Sequence, residues 1–337
     1  MNRRKRIYIA YTGGTIGMQR TPSGYAPVPG FSDLVNEKIP PRLAISLPEL
    51  VMHEYPRLID SSDIRPAHWF AIARDIADRY DDFDGFVILH GTDTMAYTAS
   101  ALSFLLRDLT KPVIVTGSQI PLVELRNDAQ NNLVTAIELA ADYPIPEVAL
   151  YFNGRLLRGN RASKYKATGF DAFDSPNYPW LADVGIFIDL NTDALLPCPA
   201  ETAFELPAYT HNDVRVAHLY PGLTGEQLLA LGQGARALIL RTYGVGNGPA
   251  SDTHFMDALR SLHAAGTVLV NVTQCVQGSV TGSYATGTAL ARTGLLPAGD
   301  MTLEAAYTKL YHLCATGLSG QALADAFLTP RCGEVSA

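Results

Sequence analysis

The feature that most constrains the fold is an apolar run at residues 7–11, which stops at Gly13 and Gly14 and then presents the hydroxyl of Thr15. Such a turn places backbone N–H groups and a threonine side chain at the carboxyl end of a predicted strand. Ligands bind at that edge in open α/β sheets. An ordinary strand-to-loop turn would have the same sequence, so this segment alone leaves both interpretations open.

A second segment, at residues 87–95, repeats the design. A strand of the buried type ends at Gly91, and Thr92 and Asp93 follow just before a helical pattern. Two hydroxyls and a carboxylate at strand ends indicate hydrolytic chemistry by a threonine nucleophile.

Strand-like runs alternate with helical patterns through the first half of the chain. This alternation predicts an α/β fold in which a parallel sheet carries helices on both faces. Ser62 and Asp63 are the candidate caps of the first of these helices. The predicted strands are Ile7–Tyr11, Phe86–Leu89, Pro112–Thr116 and Val148–Phe152, and the predicted helices are Pro66–Tyr80, Thr94–Leu106 and Asn127–Ala141.

The stretch at 191–213 has several prolines and little periodicity, which indicates a linker. We therefore predict a larger N-terminal catalytic domain at 1–190, built on a flavodoxin-like parallel sheet, and a smaller C-terminal α/β domain at 214–337. In the second domain the alternation resumes, with predicted strands Val214–Leu219, Ala237–Leu240 and Val268–Val272 and predicted helices Gly225–Leu231, Asp252–Ala264, Leu303–Leu313 and Gly320–Phe327.

Composition excludes several classes of protein. With 47% hydrophobic and 18% charged residues, the chain has the make-up of an ordinary globular protein. A net charge of -7 argues against nucleic acid as the main partner, because phosphate binding requires a basic face. No stretch reaches the roughly 20 apolar residues that a membrane span requires.

The cysteines and the N-terminus predict a cytoplasmic location. Four widely spaced cysteines without a C-x-x-C pair indicate reduced thiols, and neither a zinc site nor a disulfide framework. The charged start at residues 1–6 resembles that of a secretory signal, but the apolar run behind it breaks at Thr12 and Gly13 and no small-residue cleavage site follows.

A third motif-bearing segment, at residues 158–164, ends in Lys164. A lysine in such a polar stretch is usually a surface residue. Beside Thr92 and Asp93, however, a partly desolvated lysine could act as the base that a threonine hydroxyl needs.

Together these segments resemble the bacterial-type L-asparaginases, specifically the cytoplasmic type I branch. The resemblance covers nearly the whole chain and implies hydrolysis of the side-chain amide of L-asparagine to L-aspartate and ammonia, with no metal or organic cofactor. The motifs that carry it are Thr12-Gly13-Gly14-Thr15-Ile16-Gly17, His90-Gly91-Thr92-Asp93-Thr94-Met95, Arg158-Gly159-Asn160-Arg161 with Lys164, Thr116-Gly117-Ser118-Gln119-Ile120-Pro121, Gly169-Phe170-Asp171-Ala172-Phe173 and Gly244-Val245-Gly246-Asn247-Gly248.

The resemblance also implies catalytic roles. Thr15 matches the primary nucleophile of the family, and Tyr25, in the same loop, matches the residue that helps to activate it. Thr92, Asp93 and Lys164 match a second catalytic group, in which Thr92 positions water or acts on the acyl intermediate.

Substrate binding follows the same correspondence. Asp93 would hold the α-ammonium of the substrate, and Ser61 matches the serine that binds its α-carboxylate. Asn247 matches an asparagine that the neighbouring subunit contributes, which implies a homo-oligomer, either a dimer or a tetramer.

The chain departs from the secreted type II members at 279–284. Those proteins use a glutamate of the partner subunit near this position, and this chain has no acidic residue there. The departure puts glutamine tolerance and recognition of the substrate amine in question.

Type I members can also carry a second, activating asparagine site. Its counterparts here are Arg241, Asn271, Thr273 and Cys275. The structural alternative is that Val268–Val272 is a core strand, Cys275 a buried small hydrophobe and Arg241 a surface charge of the domain.

Three other functions remain open at this point. An amidase subunit of a tRNA-dependent amidotransferase would carry an extra domain before its first Thr-Gly-Gly-Thr motif, for which this sequence leaves no room ahead of Thr12. A non-catalytic amino-acid sensor would keep the pocket without the chemistry. A nucleotide-binding flavodoxin-like protein is disfavoured, because no phosphate-binding glycine motif stands at a strand-to-helix turn.

Overall fold

The computed structural model describes residues 3–22, 24–38, 47–202, 204, 206–280 and 285–336. Contacts divide the chain into two compact units, one of Met1–Ser175 with Pro179–Leu206 and one of Pro176–Tyr178 with Pro207–Ala337. Residues 191–206 therefore group with the first unit and 207–213 with the second, and the domain limits at 1–190 and 214–337 with a linker between them stay a prediction.

The helices and strands of the first unit are β1 Arg6–Tyr11, β2 Met18–Thr21, β3 Gly24–Pro27, α1 Phe31–Lys38, β4 Glu49–Glu54, α2 Pro66–Asp78, β5 Gly85–Leu89, α3 Met95–Leu105, β6 Val113–Thr116, α4 Ala129–Asp142, β7 Val148–Phe152, β8 Arg155–Arg158, β9 Ser163–Lys164, β10 Phe173–Asp174, β11 Ala182–Val184 and β12 Ile188–Leu190. Eight of the strands form one sheet in the order β12-β11-β8-β7-β6-β5-β1-β4.

Five neighbouring strands, β4, β1, β5, β6 and β7, run parallel. Numbered along the chain, they have the order 2-1-3-4-5, which is that of flavodoxin-like sheets. The predicted α/β fold with a flavodoxin-like sheet is thus confirmed. β5 and β7 are buried at every position, since parallel strands are covered by helices on both faces.

The strand order reverses between β1 and β5. In a sheet of this kind, the chain leaves these two strands toward opposite sides, and a crevice opens at their carboxyl ends. The turns that follow β1 and β5 carry the two threonine motifs, so the topology brings the motifs to one edge of the sheet.

Two local details differ from the sequence interpretation. The helix predicted at Pro66–Tyr80 is α2, which ends at Asp78, and its N-cap is Arg65, not Ser62 or Asp63. Ser62 and Asp63 belong to a 3-10 turn whose cap is the Asp60 carboxylate, and this carboxylate accepts a hydrogen bond from the Ser62 N–H at 2.9 Å. Pro66 has no backbone N–H to donate, which suits the first position of a helix, so α2 begins there.

The second unit is a four-stranded parallel sheet in sequence order, covered by helices. Leucines of its strands and helices form its core. Its bounds are β13 Val214–His218, α5 Gly225–Gly232, β14 Ala237–Thr242, α6 Thr253–Ala264, β15 Val268–Thr273, α7 Ala285–Ala291, β16 Leu295–Pro297, α8 Leu303–Ala315 and α9 Gly320–Leu328. Across the described ranges of both units, we find no helix with the length and apolarity to cross a membrane.

Candidate active site

Three turns of the first unit approach one another so closely that glycine is required at two of them. Gly14 has a φ of 89°, and a Cβ on it would lie 2.3 Å from the backbone nitrogen of Gly91. A Cβ on Gly91 would lie 2.5 Å from the Ser61 Oγ. The glycines therefore let the turn before Thr15, the turn before Thr92 and the Ser61 turn meet at the carboxyl ends of β1 and β5.

Lys164 joins the predicted second catalytic group. Its Nζ lies 2.9 Å from the Thr92 Oγ1 and 2.8 Å from the Asp93 Oδ1. The Thr92 hydroxyl in turn donates to the Gln119 Oε1 at 3.2 Å. Thr92 is buried, whereas the Asp93 side chain is 63% exposed and so remains accessible to a ligand.

Lys164 is held in place by the chain before it. β9 pairs with β10, which aligns Lys164 with Phe173. Arg158, at the start of the motif, forms an ion pair with Glu147 at 2.6 Å, and both side chains are buried. The segment that includes Lys164 is thus an anchored part of the unit and not a solvated surface loop.

Ser61 is buried beside the same group. Its Oγ accepts a hydrogen bond from the Asp93 N–H at 3.2 Å, and its backbone carbonyl accepts one from the Thr94 hydroxyl at 2.7 Å. Because Oγ serves as the acceptor here, its own proton is available to a ligand.

Thr15 lies in a 3-10 turn, Thr15–Gly17, and opens onto a cavity of about 650 Å³. Tyr25, on β3, lines the same cavity and is 44% exposed. The structure thus brings Tyr25 and Thr15 to the same cavity. The remaining lining residues are Gln119, Ile120, Pro121, Glu124, Leu125 and Arg126.

Gln119 contacts both parts of the site, and the sequence interpretation assigned no role to it. It lines the Thr15 cavity, its Oε1 accepts a hydrogen bond from the Thr92 hydroxyl, and its Nε2 donates one to the Gly169 carbonyl at 2.9 Å. The Asp128 carboxylate accepts its backbone N–H at 2.9 Å. The only sequence signal was its place in the motif after Gly117.

The predicted second-site residues lie together at the carboxyl ends of β14 and β15, in the second unit. Arg241 donates to the carbonyls of Thr273 and Gln274 at 3.3 Å each. The Asn271 side chain donates to the Gly246 carbonyl at 3.2 Å. Arg241 also has a buried Nε that finds no hydrogen-bond partner among the described residues.

The structural alternative for this region needs correction. Val268–Thr273 is a fully buried strand, as that alternative required. Cys275, however, is exposed, because the chain has left the sheet by that point, and Arg241 is half-buried instead of standing at the surface. Asn247 lies in the turn after β14, where its N–H donates to the Tyr243 carbonyl at 2.8 Å.

The described residues contain no group of three or more His, Cys, Asp or Glu side chains that could hold a metal ion. The four cysteines are free thiols, two exposed and two buried. Of the segment 279–284, near which type II members use a glutamate of the partner subunit, residues 281–284 lie outside the described residues.

A doubly wound sheet with hydroxyls, a lysine and a carboxylate at its switch point has the make-up of a hydrolase site, and the matches to family models make the class specific. The chain is an amidohydrolase. Residues 6–195 match the model of "Asparaginase, N-terminal", and residues 213–327 match that of the "Glutaminase/Asparaginase C-terminal domain". The chain belongs to the asparaginase family.

Individual relatives agree with this assignment. The chain is 50% identical over 337 residues to L-asparaginase 1 of Escherichia coli K12, with 99% of this chain and 98% of that protein covered. The crystal structure of L-asparaginase I from Vibrio cholerae superposes with a TM-score of 0.89 at 46% identity and covers 99% of this chain and all of that one. The predicted resemblance is confirmed.

A more distant relative bears on one alternative. A glutamyl-tRNA(Gln) amidotransferase subunit of Pyrococcus horikoshii is 30% identical over 348 residues. The match covers 98% of this chain but 76% of that protein. The amidotransferase subunit is therefore the weaker likeness.

Proposed function

We propose that the chain is an L-asparaginase, which hydrolyses the side-chain amide of L-asparagine to L-aspartate and ammonia. The observation that carries the proposal is the position of Lys164, within 3 Å of both the Thr92 hydroxyl and the Asp93 carboxylate at the edge where α/β sheets bind ligands. The names of the relatives support the choice of substrate.

Thr15 is proposed as the nucleophile. Its Oγ attacks the amide carbon while its proton passes to Tyr25. Tyr25 then gives a proton to the amide nitrogen, which departs as ammonia as the acyl ester forms on Thr15. Water then attacks the ester, releases aspartate and restores the hydroxyl. Backbone N–H groups of the glycine turns are candidate donors to the oxyanion.

Thr92, Lys164 and Asp93 are proposed to manage protons. As placed, Lys164 donates to Thr92 and Asp93, and the Thr92 proton points to Gln119. If Lys164 passes a proton to Asp93, its free amine can take the proton of Thr92 or of a water molecule bound there. That water would attack the ester on Thr15.

Ser61 and Asp93 are proposed to hold the two charged ends of the substrate. The Ser61 hydroxyl can donate to the α-carboxylate, because its lone pair already accepts the Asp93 N–H. The exposed Asp93 side chain can accept from the α-ammonium through its second oxygen, whether or not the first, which faces Lys164, carries a proton. Fixing both ends would align the side-chain amide with a threonine.

Asn247 is proposed to complete the site of a neighbouring subunit. This role requires a homo-oligomer, a dimer or a tetramer, and closed two-fold symmetry is the commonest way to build one. A cytoplasmic location is proposed with it, since four unpaired cysteines are typical of a reducing compartment.

A second, activating asparagine site is proposed at Arg241, Asn271, Thr273 and Cys275. The buried Nε of Arg241 supports it, because a guanidinium group with an unused donor suits a carboxylate. Exposed Cys275 leaves room for a ligand there.

An ammonia-release assay tests the proposed function. The purified chain should release ammonia from asparagine, with slower release from glutamine and none without an amino acid. Binding of asparagine without ammonia release would indicate the sensor instead. Ammonia release from glutamine alone would favour the amidotransferase subunit.

A further inference from the structure

Tyr25 is held by two charged side chains that the site described above does not use. Its phenol donates to the Glu124 carboxylate in a short hydrogen bond and accepts one from the Arg20 Nε at 2.9 Å. The Arg20 Nε also lies 3.3 Å from the Glu124 Oε1, so the three side chains close a ring of contacts. We call this ring the Tyr25 clamp.

Both halves of the Tyr25 clamp are fixed by the backbone. Arg20 and Tyr25 are paired positions of the β2–β3 hairpin. Glu124 lies in the segment between β6 and α4, and the Leu122 N–H of that segment donates to the Ile16 carbonyl at 3.0 Å. Because Ile16 follows Thr15 directly, Glu124 is anchored to the turn that carries the proposed nucleophile.

These hydrogen bonds leave the Tyr25 oxygen one lone pair that can still accept. A phenol has one proton and two lone pairs. The proton is committed to Glu124 and one lone pair to Arg20, so a single acceptor position remains. Thr15 lines the same cavity, and during attack this position would accept the hydrogen bond that the Thr15 hydroxyl donates.

We propose that Glu124 is a positioning residue, which orients the Tyr25 phenol so that its free lone pair accepts from the Thr15 hydroxyl. The inference rests on the proposed function and adds a carboxylate from the chain's own first unit to its proton chemistry. Arg20 balances the charge of Glu124, so the phenol is oriented without a net charge beside the substrate.

The protonation state fits this role. The hydrogen bond from Tyr25 and the charge of Arg20 hold the pKa of Glu124 below its usual range, although partial desolvation opposes them. Glu124 is therefore an acceptor at neutral pH, and its orienting effect would be lost only as the pH falls through that lowered pKa. When the phenol takes the Thr15 proton, its own proton passes to the Glu124 carboxylate, and it returns to Tyr25 as Tyr25 protonates the leaving amide nitrogen.

Steady-state kinetics with asparagine test the proposal through Glu124→Gln, Tyr25→Phe and the double variant. Glu124→Gln keeps the size but removes the charge, and it should lower kcat by about 10- to 100-fold while KM changes by less than about threefold. The double variant should be no slower than Tyr25→Phe within about twofold, because both changes remove one coupled interaction.

Controls separate positioning from folding. Glu138→Gln, at an exposed position of α4, should leave kcat and KM unchanged. Arg20→Gln alters a side chain that is 76% exposed, so it cannot disturb the core, and it should give a smaller loss of kcat. Glu124→Asp should recover part of the loss, and circular dichroism should show the same fold throughout.

Three results would contradict the proposal: an unchanged kcat in Glu124→Gln, a loss confined to KM, or losses that multiply in the double variant. Each of them leaves the proposed function intact as long as the unmodified chain releases ammonia from asparagine. If the unmodified chain releases none, the proposed function itself is wrong and this inference is wrong with it.

Discussion

His90 is a buried histidine directly before the Thr92 turn. One ring nitrogen contacts the Gly91 carbonyl at 2.7 Å and the other contacts the Thr98 hydroxyl at 2.9 Å. Burial lowers its pKa to about 4, although the Gly91 hydrogen bond opposes the shift. The imidazole is therefore neutral near pH 7, where it can donate to the carbonyl and accept from the hydroxyl at once.

This histidine predicts a pH dependence of stability. The unfolded chain binds a proton at His90 below about pH 6.5 and the folded chain does so only below about pH 4. Between these values the unfolded state holds more protons, so the free energy of unfolding falls as the pH falls. Denaturation by urea at pH 7 and pH 4.5 should show a smaller fall in His90→Gln than in the unmodified chain. The difference should be at most roughly 3 kcal/mol.

Exposed His218, on β13, is the matched control. His218→Gln should keep the pH dependence of the unmodified chain. An equal fall in His90→Gln and in the unmodified chain would mean that His90 is not the proton-linked group.

At the scale of elements, the site depends on turns that meet without side chains between them. Gly14 and Gly24 both have positive φ, of 89° and 113°, yet only Gly14 faces a neighbouring backbone. A Cβ on Gly24 would have nothing within 4 Å. The pair therefore separates backbone strain from close contact.

We expect Gly24→Ala to cost about 1–2 kcal/mol of unfolding free energy, from backbone strain alone. Gly14→Ala adds a collision with Gly91, and we expect a cost of about 3 kcal/mol or more together with a large loss of activity. Urea denaturation of both variants measures the difference. Equal costs would show that the Gly14 and Gly91 turns can separate freely.

The elements also show what local sequence could predict. β5 and β7 are buried at every position, so each is a continuous run of apolar or small residues that the sequence alone reveals. β4, at the edge of the sheet, was missed because no position in it is fully buried and both ends are glutamates. The antiparallel strand β8 was missed as well, since arginines begin and end it.

The side-chain contacts within the site could not be predicted from the sequence, for a different reason. The motifs of Thr92 and Lys164 could be recognised, but 72 residues separate them and sequence carries no distance. Gln119 and Glu124 lie in irregular chain between β6 and α4, where no periodicity marks a role. Only the folded chain brings these side chains to Thr92 and Tyr25.

At the scale of the whole molecule, the central question is whether a ligand in the second unit changes turnover. Two sites coupled by about 1–3 kcal/mol would make the velocity sigmoidal in asparagine. Such coupling needs a ligand that binds two states with different affinities. We propose that Arg241, whose buried Nε finds no hydrogen-bond partner among the described residues, favours one of them.

We predict a sigmoidal velocity curve for the unmodified chain and a nearly hyperbolic one for Arg241→Ala. Arg260→Ala is the matched control, because Arg260 is an exposed arginine of α6 that pairs with Asp257. It should keep the sigmoidal curve. Hyperbolic kinetics in all three proteins would leave Arg241 with a structural role only.

The most direct measurement is ammonia release from asparagine by the unmodified chain and by Thr15→Ala, with exposed Thr253→Ala as the control. We predict that Thr15→Ala lowers kcat by at least about 10³-fold without changing the melting temperature, because one small side chain is removed from a turn. Thr253→Ala should match the unmodified chain. Comparable turnover in Thr15→Ala and the unmodified chain would contradict the assignment of Thr15 as nucleophile.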